Sequence, residues 1–82
     1  MRIISQDGQI DLPYNRIMLC VEGVLVTARN DGKQYLIGKY HTEEKAINAM
    51  EMCREKYQGF FTKGNFMLDH PKVFRFPADD EI

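Results

Sequence analysis

The stretch ARNDGKQYLIGKYHTEEKA, residues 28–46, gathers more groups able to do chemistry than any other part of the chain. Gly38 and Lys39 come almost directly before a helix signal, as in loops that wrap backbone N–H groups and a lysine around phosphates. That motif, G-x-x-x-x-G-K-[ST], also needs a glycine five positions before the second one and a hydroxyl after the lysine to hold magnesium. Here the upstream glycine is Gly32, one position too far, and Tyr40 follows Lys39. The intervening KQYLI is β-forming and not loop-like. The stretch reads as a strand running into a helix cap.

A weaker chemistry survives. A helix start presents unpaired N–H groups and attracts anions even without a glycine loop. Lys39, Tyr40, His41 and Thr42 come just before that start, and Arg29 belongs to the preceding strand. The expectation is a small ligand site made of Arg29, Lys39, Tyr40, His41 and Thr42. In it the N–H groups and two cations hold a phosphate and a tyrosine stacks on a base. The competing expectation is that Thr42 only caps the helix while Lys39 and His41 stay solvated.

Catalytic sets find less support. Cys20, Cys53, His41 and His70 contain no C-x-x-C pair, so no zinc site is expected. No cysteine–histidine nucleophile is expected, because both cysteines read as pointing into the core. Both cysteines sit in apolar stretches and read as reduced core thiols. Ser5 is the lone serine and has no nucleophile-elbow glycines around it. The acidic residues fall on one helix face and in the terminal PADDEI, where solvation explains them. No enzyme, metal or cofactor is expected. Tyr14, Tyr35, Tyr40, Phe74 and Phe76, interleaved with Arg2, Arg16, Arg29, Lys33, Lys39 and Arg75, suit either a nucleotide or a protein interface.

The elements that must position these groups follow from local signals. Asp7-Gly8 and Asp31-Gly32 are turn dipeptides, because a type I′ hairpin needs positive φ at both central residues. RIMLCVEGVLVTAR is too long for one ordinary strand. It reads as two, near 16–21 and 24–29, with a single strand bulged at Gly23 as the alternative. KQYLIGKYH supplies another strand near 34–40, which gives a meander across residues 2–40. Thr42 starts a helix near 43–59, with Glu43 and Glu44 in its first turn. Ala46, Ile47, Ala49, Met50, Cys53, Tyr57, Phe60 and Phe61 form its apolar stripe, and Met52 lies outside it. KVFRF returns as a last strand near 72–76.

The fold class is therefore α+β: an antiparallel β-meander with one amphipathic helix packed on one face and a C-terminal strand. The 82 residues make a single domain, with an acidic tail at 77–82. So short a chain buries only roughly 60–65% of its unfolded surface, so it is expected to homo-oligomerise, most simply as a two-fold dimer. A net charge of −1 speaks against a dedicated nucleic-acid binder. No apolar run approaches the ~20 residues of a membrane span, and MRIISQDG lacks a signal-peptide core, so a cytoplasmic protein is expected.

MRIISQDGQIDLPYNRIML, and again GKYHTEEKAINAMEMCREKY, resemble a family of small phage- and prophage-encoded proteins of Gram-positive gut bacteria. Its members share a near-identical MRIISQDG opening, an I-D-x-P-Y segment and a TEEKA helix start. The family carries no assigned activity, so no residue role transfers from it. The resemblance implies an accessory protein of the bacterial host cell that counters host defence by binding. One expected target is a small signalling nucleotide, which it would sequester. The alternative is a host defence effector, inhibited by protein–protein contact in the manner of an anti-CRISPR protein.

Overall fold

Positive-φ residues set the turns of the central sheet. Gly23 (φ 63) sits alone at the first central position between Glu22 and Leu25, the pattern of a type II′ turn. Asp31 (φ 53) and Gly32 (φ 79) together make the type I′ turn between Asn30 and Lys33. These turns join three antiparallel strands, here numbered β3 (Met18–Glu22), β4 (Leu25–Asn30) and β5 (Lys33–Lys39). The segment around Gly23 is thus a hairpin, and the irregularity in this sheet lies instead at Val26/Thr27. The computed structural model describes residues 1–62 and 73–82, with side chains for 1–57 and 73–82.

The first strands do not continue the meander. β1 (Arg2–Ile4) pairs antiparallel with β2 (Asp11–Pro13) and parallel with β6 (Val73–Arg75), forming a second three-stranded sheet of order β2-β1-β6. Pro13 explains the break, since it lacks the N–H that would extend the ladder. A single 3₁₀ turn, Tyr14–Arg16, then redirects the chain into β3. Asp7-Gly8 also differs from the expected two-residue hairpin. It lies in a longer loop closed by side chains: the Ser5 hydroxyl donates to Asp7 (2.6 Å) and accepts from the Ile10 N–H (3.0 Å).

The helix α1 (Glu43–Thr62) is capped by the Thr42 hydroxyl, which accepts from the Lys45 N–H at 3.1 Å. Its buried face is built from the small side chains of Ala46, Ala49 and Cys53, flanked by half-buried Met50 and Tyr57. Ile47 departs from expectation and is 46% exposed. At 100° from Ala46 it falls beyond the narrow stripe that small residues leave in contact. Met52 is exposed as expected. The side chains of Phe60 and Phe61 lie outside the described residues. Both sheets share one core of Ile3, Leu12, Val26, Ala28, Ile37, Tyr40, Phe74 and Phe76 with the helix. Among the described residues, no helix is long and apolar enough to cross a membrane.

Candidate functional site

β5 delivers Lys39 to the edge of the fold, and the next residue turns inward. Tyr40 donates its N–H to the Val24 carbonyl (2.9 Å) and buries its ring. The phenol donates to the Pro77 carbonyl at 2.8 Å. Gln6 reinforces this point, since its amide N–H donates to the same carbonyl (3.2 Å) while its oxygen accepts from the Lys39 N–H (2.9 Å). Burial, with the nearby charges of Asp79 and Glu81, pushes the Tyr40 phenol up to about 12, so it remains a neutral donor.

The helix start does hold an anion, and the anion belongs to the chain itself. The Asp79 carboxylate accepts from the His41 backbone N–H (2.7 Å), from His41 Nδ1 (2.6 Å) and from Lys45 Nζ (3.1 Å). An ionised carboxylate only accepts, so Nδ1 carries the proton in this contact. Lys45 also donates to the Asp79 carbonyl at 3.1 Å. These bonds, the His41 ring first, hold the Asp79 carboxyl down at about 2. Residues 79–81 form a 3₁₀ turn, tied by the Glu81 carboxylate to the Ala78 N–H at 2.7 Å. The acidic tail is therefore folded against the helix and is not simply solvated.

Of the five residues expected to form a ligand site, Lys39, Tyr40, His41 and Thr42 are adjacent, while Arg29 stands apart from them. Lys39 is opposite Leu25 and Arg29 opposite Gln34, which puts the two cations about 13 Å apart along β4. Tyr40 cannot stack on a ligand while its ring is buried. Phe74 and Phe76 are likewise core, packed edge to face at 5.1 Å, so they are not part of an aromatic surface. Asp79, Lys45, Gln6 and Pro77 completed the junction without any local signal in the sequence. Only the match between an acidic segment and a helix start hinted at Asp79, which lies 38 residues from His41.

Cys53 is buried, which pushes its thiol up to about 12 and removes it as a nucleophile. No group of three or more metal-ligating side chains occurs among the described residues. Cys20 departs from the expected core position. It is half-buried on the outer face of the β3-β4-β5 sheet, opposite Thr27.

That outer face is the second candidate. Alternation along the strands places Met18, Cys20 and Glu22 of β3, Leu25, Thr27 and Arg29 of β4, and Gln34 and Leu36 of β5 on one side. Met18 is 63% and Leu36 51% exposed, while Thr27 between them is buried. The Glu22 carboxylate is fixed by the Thr27 hydroxyl and the Gln34 amide, both at 2.8 Å. Arg29 forms no ion pair among the described residues. The result is an apolar patch between a pinned carboxylate and the Arg29 guanidinium. Comparison with protein-family models, curated proteins and solved structures found no match in any of the three.

Proposed function

We propose that the chain is a non-enzymatic phage accessory protein that works by attaching to a host protein through the outer face of the β3-β4-β5 sheet. The setting, the cytoplasm of a bacterial host and the countering of its defence, rests on the resemblance of the N-terminal and helix-start segments. The observation that carries the binding surface is the exposure of Met18 and Leu36 beside Arg29, which forms no ion pair among the described residues. An exposed apolar patch marks an interaction site, and methionine and arginine are enriched at protein interfaces. A partner surface fitting this face is apolar at its centre with an acidic group to meet Arg29.

Nucleotide sequestration at the strand–helix junction is the weaker reading, because Asp79 supplies the negative charge a phosphate would bring. Affinity capture from host lysate tests both. Wild type should retain a host protein that Leu36→Asp loses and Lys39→Ala keeps. A panel of cyclic nucleotides and ADP-ribose derivatives should leave the melting temperature unchanged. A ligand at 100 times its dissociation constant would add roughly 2.7 kcal/mol. A melt raised by a nucleotide and abolished in Lys39→Ala would overturn the protein-binding reading.

A further inference from the structure

We draw no further inference here: the strongest candidate, the groove of about 310 Å³ between β3 and α1 lined by Tyr14, Ile17, Leu19, Met50, Cys53 and Arg54, carries nothing because nothing in the structure shows what covers it.

Discussion

Asp79 is the residue on which the strand–helix junction depends, and its chemistry gives a signed pH dependence. Its carboxyl titrates at about 2 in the folded chain, below the ~3.9 of an unfolded aspartate. A depressed folded value means stability that is present above ~3.9 and lost as pH falls toward about 2. Asp79→Asn should therefore melt below wild type at neutral pH, with the gap narrowing through that acid window. A gap independent of pH would show that the carboxylate is not ionised in this contact. Tyr40 acts at the other extreme. Its phenol is raised, so stability is full below ~10 and declines as pH climbs toward about 12. Tyr40→Phe loses a bond to Pro77 that Gln6 partly replaces, and should cost ~0.5–1.5 kcal/mol. Urea titrations at rising pH should show a steeper alkaline decline in wild type than in the variant, which keeps the part due to the buried Cys53 thiol. At this scale the sequence disclosed what was local. Thr42, Glu43 and Glu44 marked the helix start because capping works within one turn. Asp79 stayed hidden because a bond spanning 38 residues leaves no periodic trace.

Between elements, the close passage of β5 over Tyr40 is the tightest constraint. A Cβ on Gly38 would meet the Tyr40 ring at 3.1 Å and its hydroxyl at 3.2 Å. The ring cannot swing aside without giving up its bond to Pro77, so Gly38→Ala should destabilise by ~1–3 kcal/mol. Chemical denaturation of Gly38→Ala, Tyr40→Phe and the double variant checks the cause. The cost of Gly38→Ala should shrink where the ring is no longer tethered. The hairpins around Gly23 and Asp31-Gly32 were legible because turn chemistry fixes φ within two residues. The division into two sheets was not. β1, β2 and β6 have three residues each, too few for alternation to register, and β1 finds β6 only across the whole chain. The stripe on α1 was legible through Ala46, Ala49 and Cys53. Ile47 was misplaced because hydrophobicity alone does not say how narrow a contact strip small residues leave.

Across the molecule, the two ends of the chain close around the helix start, and the open chemistry moves to the far side of the central sheet. Residues 77–82 and Gln6 fill the junction where the sequence suggested a ligand site, while Met18, Leu36 and Arg29 stand exposed on the outer face. On the proposed function this face, and not the junction, meets the partner. Amide and side-chain NMR shifts recorded during titration with the captured host protein test it most directly. Shifts should centre on Met18, Cys20, Thr27, Arg29 and Leu36, with His41, Lys45 and Asp79 unmoved. Shifts centred on Lys39 to Lys45 and Asp79, with the outer face silent, would contradict it.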